Sequence, residues 1–321
     1  MAAPEKKLSS EHAGRLNEPP VPSYTKEHKI PLSKKLRPYL ILGPAFLLTV
    51  GILIPFGMAV IFSFTNYSFQ YPSYNFVGLS NYLYIFQSAS FWQSVKVTFM
   101  YAGLATLIET LLGIGIAMLL NRENLLARSL RIVLIFPLVI APVIATLIWQ
   151  LMTNNSVGIL SKWLRMIGIT EFKWAADPSS ALFTVLIIDA WVFTPFVIIL
   201  VLAGLRSLPK APFESAMIDG GSAWFTFKNL TLPMIMPMLL IAILFRLMLS
   251  LQMFDIIFAL TRGGPGDTLM TLPLTAYFEA FSYKELGASL PYMVILWVFV
   301  YVVSHYMVKY WTRTQRRASG K

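Results

Sequence analysis

Of the 321 residues, 56% are hydrophobic, 14% aromatic and 13% charged, whereas a soluble domain of this size has about a quarter of its residues charged. This balance excludes a soluble globular protein and leaves the bilayer as solvent. The formal charge of +11 follows membrane topology and is not read as nucleic-acid binding, and the lack of cysteine excludes disulfides and thiol chemistry.

Residues 1–38 are polar, contain proline and are uneven in charge, the composition of a flexible cytoplasmic extension with little ability to bury a core. They are too long and too polar for the basic region of a signal peptide. The apolar stretch behind them has span length and no clear cleavage site, so the first span is expected to stay as a signal anchor. Six apolar runs can cross a hydrocarbon core of about 30 Å at about 1.5 Å per residue: 39–64, 97–120, 132–152, 181–204, 234–260 and 288–308. The expected fold class is an all-α membrane protein with six transmembrane helices. Pro44, Pro55, Pro137, Pro142, Pro195, Pro237 and Pro291 lie inside or at the ends of these runs. Neighbouring helices can satisfy the carbonyls they free, so kinks are expected and not broken spans.

Nineteen of the 26 Lys and Arg residues fall in segments 1–38, 121–131, 205–233 and 309–321, against six in 65–96, 153–180 and 261–287. The positive-inside bias therefore puts both termini in the cytoplasm, with Lys162, Arg165 and Lys173 running against it. Lys34, Lys35 and Arg37 before the first span, and Arg313, Arg316 and Arg317 in the basic tail 309–321, also suit anionic lipid headgroups.

The outer segment 65–96 is rich in Tyr and Phe and holds no acidic residue. Interfacial belts and packing on the chain's own helices explain much of this; an aromatic surface that wants an external cover is the sharper reading. Within the spans, an ionisable group near mid-depth costs about 2.5–3.5 kcal/mol on insertion scales, so such groups should face a partner or a pathway. Glu109 and Arg246 are each the thirteenth residue of their span, which allows a structural pair across helices or contact with a translocated ligand. In an unbroken fifth span Arg246 and Asp255 fall on opposite faces, while Gln252 and Asp255 share one. Asp189 and Trp191 in the fourth span add an acceptor and a ring able to stack on a translocated ligand. These six side chains are the candidate substrate pathway.

Several chemistries find no support. His12, His28 and His305 are scattered, so no paired-histidine metal site of the zincin type is expected. No GxxxxGK[ST] phosphate loop and no GxSxG elbow occur, so the chain is not expected to be an enzyme or to hydrolyse ATP on its own. A membrane enzyme would need clustered catalytic groups. A stand-alone carrier driven by an ion gradient remains the alternative, although the first and last three spans show no convincing repeat.

Residues 205–233 form the one long inner loop. Pro209 and Pro212 suit the first turn of a helix, Gly220 and Gly221 its end, and Ser222 the cap of a second helix before Ala223-Trp224-Phe225. Small Ser215 and Ala216 would let the backbone press into a groove, Glu214 would reach a basic rim, and Phe213, Trp224, Phe225 and Phe227 would supply apolar contact. Local physics alone allows either a docking loop or an amphipathic segment on the inner leaflet.

The run Glu214-Ser215-Ala216-Met217-Ile218-Asp219-Gly220, with Leu230 and Leu232-Pro233 after it, resembles the EAA coupling loop of membrane subunits in ATP-binding-cassette importers, with Ser215 in place of the first Ala. Phe254-Asp255 through Thr261-Arg262-Gly263-Gly264-Pro265, followed by Thr271, Tyr277, Phe281 and Gly287, resembles the fifth-span exit of sugar-importing permeases of the maltose type. Val77-Gly78-Leu79-Ser80-Asn81-Tyr82 resembles the outer-loop motif of the same branch. The resemblance implies a permease subunit of a carbohydrate importer in the bacterial inner membrane. It further implies a second permease subunit as heterodimer partner, two copies of an ATP-binding subunit on which ATP and Mg act, and an extracytoplasmic solute-binding protein. Glu214, Ser215, Ala216, Asp219 and Gly220 would couple to the ATPase. No cofactor is implied for this chain itself.

Overall fold

The computed structural model describes residues 32–71 and 73–318, with side chains for 39–71 and 73–316. The flexible extension expected over residues 1–38 lies outside the described residues as far as 31. From Leu32 onward the backbone is already helical, so the first helix starts inside the segment expected to be flexible. The side chains of Lys34, Lys35, Arg37 and Arg317 are also outside the described set.

Two compact units divide the chain at Ile54. The described part of the first is helical from Leu32, and its apolar side chains from Tyr39 to Ile54 are almost all exposed. In chain order the helices are α1 (Leu32–Phe62), α2 (Ser80–Gln87), α3 (Ala89–Leu120), α4 (Leu125–Val139), α5 (Pro142–Met152), α6 (Ile159–Met166), α7 (Pro178–Arg206), α8 (Ala211–Ile218), α9 (Ala223–Thr226), α10 (Leu232–Leu251), α11 (Asp255–Thr261), α12 (Leu272–Tyr277) and α13 (Leu286–Ala318). A π-helical turn, Phe227–Thr231, joins α9 to α10 in one helical run, and another, Phe278–Ser282, follows α12.

Five helical runs have the length and apolar character to cross a membrane, and α4 with α5 makes a sixth if that pair is one span. The pair is bent by 100°, so the expectation of kinks without breaks fails here. Pro142 opens α5, and a proline disfavours helical backbone in the residue before it. Ala141 accordingly takes φ −57°, ψ 132°, and Ile140 is extended too. Pro195, Pro237 and Pro291 instead sit within continuous helices.

The fifth span is also corrected. It was expected to run unbroken over 234–260, but α10 ends at Leu251 and α11 restarts at Asp255. Phe254 leaves the helical region at φ −127°, ψ −50°. The break turns Met253, Ile256 and Ile257 into one buried cluster with Val185 and Ile188 of α7 and Tyr101 of α3. Burial of these side chains outweighs one interrupted turn.

At the centre of the second unit α3 lies against α7 and both lie against α10. Close approach of α3 and α7 is set by Gly113, where a Cβ would stand 2.5 Å from a Val197 methyl; small residues let membrane helices meet backbone to backbone. Lower along the same helices Ala117, Val197, Val201, Ile235 and Leu239 form a second apolar cluster. Trp311 of α13 donates its indole N–H to the Pro237 carbonyl of α10 at 3.0 Å.

Candidate functional site

Two features of this frame carry chemistry: a buried ionic cluster and the loop between α7 and α10. Glu109 on α3, Asp189 on α7 and Arg246 on α10 are all completely buried. Arg246 Nε donates to Glu109 Oε2, and its Nη2 donates to Glu109 Oε1 at 2.6 Å and to Asp189 Oδ2 at 2.9 Å. The guanidinium carbon lies 4.4 Å from the Phe193 ring centroid, a cation–π contact from the same helix as Asp189. The Glu109 fork is bidentate, the geometry for which a guanidinium is suited and an ammonium is not. The structure therefore brings Glu109 and Arg246 together across helices, as their equal depth allowed, and adds Asp189. All three side chains are turned on one another and away from open space.

The loop builds its shape from local hydrogen bonds. Pro212 sits in the first turn of α8. At the other end Gly221 N–H bonds to Ala216 C=O at 2.8 Å and Gly220 N–H to Met217 C=O at 3.2 Å, the paired bonds of a Schellman cap. Gly220 takes φ +72°, a left-handed conformation in which a side chain would be strained. Ser222 Oγ then accepts the Phe225 N–H at 3.2 Å and caps α9. The expected order of helix, break and helix is what the chain adopts.

The exposed face of the loop differs from the one expected. Ala216 is buried, packed under the cap, while Glu214, Ser215, Asp219 and Gly220 are exposed. Phe213 and Phe227 are half-buried. The apolar surface is made by Trp224 and Phe225 together with Met217 and Ile218, exposed to 77% and 87%. The two aliphatic residues were missed because they lie inside the motif itself; consecutive Met and Ile ahead of a glycine cap were the available signal.

Gln252 and Asp255 do not form the shared helical stripe expected of them, because the break at 252–254 separates them. Both are exposed, and Gln252 Nε2 folds back to donate to the Met248 carbonyl at 3.0 Å. Trp191 is partly exposed and packs edge-on to Trp149 at 6.0 Å between centroids. The pair lines a mostly apolar cavity of about 560 Å³ inside the bend of α4 and α5.

Segment 65–96 is partly its own cover. Phe91 and Ile85 are fully buried, whereas Phe69, Tyr71, Tyr74, Phe76, Tyr84 and Trp92 remain exposed. Asn81, from the outer-loop motif, donates its amide to the carbonyls of Ser63, Thr65 and Gly287 at 2.9–3.1 Å. It pins the end of α1 to the start of α13.

Comparison with known proteins agrees with this architecture. The family described as binding-protein-dependent transport system inner membrane component matches residues 109–313. The trehalose/maltose transport system permease protein MalF of Thermococcus litoralis is 39% identical over 217 residues, covering 67% of this chain and 72% of that protein. The sulfoquinovosyl glycerol transport system permease protein SmoG of Agrobacterium fabrum is 28% identical over 285 residues, 88% and 92% of the two chains. In fold the chain is similar to a bacterial ABC transporter involved in import of the acidic polysaccharide alginate, with a TM-score of 0.74 at 21% identity over 88% of this chain and 98% of that one. The chain belongs to the binding-protein-dependent transport system inner membrane component family, and is a multi-pass membrane subunit of an ATP-binding-cassette importer whose ATP is hydrolysed on a separate subunit.

Proposed function

We propose that this chain forms half of the translocation pathway of a carbohydrate importer and takes its drive through the loop 207–231. The observation that carries the reading is the capped α8–α9 hairpin. It presents Met217, Ile218, Trp224 and Phe225 to solvent between two helices that run into the buried frame. An apolar patch with a polar rim, Glu214 and Asp219, is the chemistry of a protein contact. Both termini and this loop lie in the cytoplasm, following the Lys and Arg bias. The assembly contains a second permease subunit, two copies of an ATP-binding subunit that use ATP with Mg, and an extracytoplasmic binding protein. Closure of the ATPase pair displaces the docked loop, and the helices exchange between two accessible states.

A carbohydrate cargo is supported by the relatives named for trehalose and maltose and for sulfoquinovosyl glycerol. Trp191, Gln252 and Asp255 are the pathway side chains still open to a hydroxylated ligand; Glu109, Asp189 and Arg246 are engaged with one another. The test is to tag the chain in its native host, solubilise it gently and identify what co-purifies. Recovery of an ATPase and a second permease supports the reading, and the associated binding protein can then be screened against sugars. Recovery of this chain alone, with uptake into liposomes that needs only an ion gradient, overturns it in favour of a carrier.

A further inference from the structure

Glu109 and Arg246 already make a balanced, bidentate pair between α3 and α10. Asp189 adds a second carboxylate through a hydrogen bond to an Nη2 that Glu109 also uses, with the buried Tyr101 hydroxyl beside it. Its other oxygen, Oδ1, has no hydrogen-bond partner, and neither does Arg246 Nη1. A buried carboxylate in excess of its counter-charge and an orphaned acceptor both work against stability. Its neighbours along α7, Val185, Ile188 and Val192, are buried and apolar, while the carboxylate itself faces Arg246, Glu109 and the buried Tyr101 hydroxyl. A local conflict of this kind calls for a reason outside stability.

What Asp189 supplies is a connection. Of the three charged residues it alone stands on α7, the helix that leads into the loop, while Arg246 stands on α10, the helix that leads out. Asp189 is about 26 Å along α7 from Arg206, and Arg246 about 21 Å along α10 from Leu232, at 1.5 Å per residue. The two helices are joined at one end by the loop and, far up the pair, by the guanidinium. Between these points their contact is apolar, made by residues such as Val197, Val201, Ile235 and Leu239. Apolar contact is non-directional and tolerates sliding of one helix on the other; a charge-assisted hydrogen bond at 2.9 Å does not.

We propose that Asp189 is a positioning residue for transport: it ties α7 to α10 so that both helices flanking the loop move as one body and deliver the loop's displacement to the level of the cluster. This rests on the reading of the loop as the site where the ATPase acts. The chain itself has no cysteine, so with partner subunits freed of reactive thiols a spin-label pair can be introduced at exposed Ile199 of α7 and Leu249 of α10.

The test uses the complete transporter in liposomes, with trehalose as the uptake probe, and compares Asp189→Leu with the parent. Glu109 still holds Arg246 in this variant, now as a balanced pair. The expected result is an unchanged or raised thermal midpoint, ATPase activity within about twofold, and uptake per ATP lower by about tenfold, in the range of allosteric couplings. The distance between the labels should stay fixed between nucleotide-free and ATP-bound states in the parent and change between them in Asp189→Leu. Asp189→Asn, which keeps an acceptor for Nη2, should recover part of the coupling. Parallel loss of midpoint, ATPase and uptake would reduce Asp189 to an ordinary core residue, and normal coupling would make it dispensable; either overturns the proposal. A parent transporter that takes up no trehalose leaves the label distances to decide the tie, and counts against the cargo alone.

Discussion

The loop between α7 and α10 and the ionic cluster between the same helices meet their polar groups in opposite ways. In the loop every bond that sets the shape spans a few residues: Gly221 to Ala216, Gly220 to Met217, Phe225 to Ser222. In the cluster Arg246 reaches Glu109 across 137 residues of chain and Asp189 across 57. The loop is exposed and is shaped without help from the rest of the fold, whereas the cluster exists only when three helices have packed. Damage to the loop should therefore appear in transport, and loss of the Glu109–Arg246 pair at the heart of the cluster in folding, with Asp189, the surplus carboxylate, the exception.

The largest effect that separates the two is expected from Arg246→Leu. Two carboxylates would remain fully buried with no counter-charge, and loss of one partner of a buried pair costs about 3–5 kcal/mol. The variant should yield little folded protein in detergent, measured by size-exclusion profile and thermal midpoint. A well-folded Arg246→Leu would mean that the cluster is not what joins α3, α7 and α10.

Gly220→Pro comes next and reverses the pattern. Proline is held near φ −65° and has no N–H, so it fits neither the +72° backbone nor the bond to Met217. Uptake should fall about tenfold or more, the range expected when a coupling element is lost, with insertion and thermal midpoint largely kept. Glu214→Lys should act in the same direction through the rim charge. Normal uptake in both would remove the loop from the transport cycle. A smaller effect of the same kind is expected from joint replacement of Met217 and Ile218 by Ser. Neither side chain is buried in this chain, so the midpoint should hold while retention of the ATPase on purification weakens by about tenfold, an ordinary loss for truncated interface side chains and short of a hot spot.

The same contrast explains what was legible in the sequence. The capping of α8 and α9 could be read from Pro212, Gly220 and Ser222 because each acts on its immediate neighbours. The pairing of Glu109 with Arg246 could be suspected from equal depth, since two opposite charges at mid-span need each other. Asp189 was read only as a candidate acceptor for a ligand, because nothing local to α7 reports that Arg246 has room for a second carboxylate. The break after Leu251 was hidden for a similar reason. The run through 260 is apolar enough to cross even with Arg246, Gln252 and Asp255 in it, and only the packing of Met253, Ile256 and Ile257 on α7 decides that it turns. The bend at Ala141 is the exception: Pro142 signalled it locally, and the general tolerance of membrane helices for proline outweighed that signal. Burial of Ala216 escaped notice because small size serves an inward-packed position as well as a contact face.

Glu279 sits between the two extremes and tests the comparison most finely. It lies in the π-helical turn after α12, half-buried, beside a pocket of about 310 Å³ that Arg262 and Asp267 also line. Among the described residues it makes no salt bridge within 4.0 Å. Burial first, and the nearby Glu285 carboxylate second, raise its pKa above the ordinary carboxylate value. A carboxyl group whose pKa is higher folded than unfolded binds its proton more tightly in the native state. Its contribution is therefore least unfavourable in acid, becomes destabilising as pH rises through the unfolded value, and levels off above the folded one. Glu279→Gln removes the charge at similar size. The thermal midpoint of the variant should match the parent at a pH below the carboxylate range and exceed it modestly at neutral pH, with the gap opening between the two pKa values. The effect should be the smallest of the series, because solvent reaches half of the group and screens what Asp189 and Glu109 feel in full. A gap that is constant with pH would show that the change acts through packing of the turn, and a parent more stable than the variant at neutral pH would mean that Glu279 has a cationic partner in the assembled transporter.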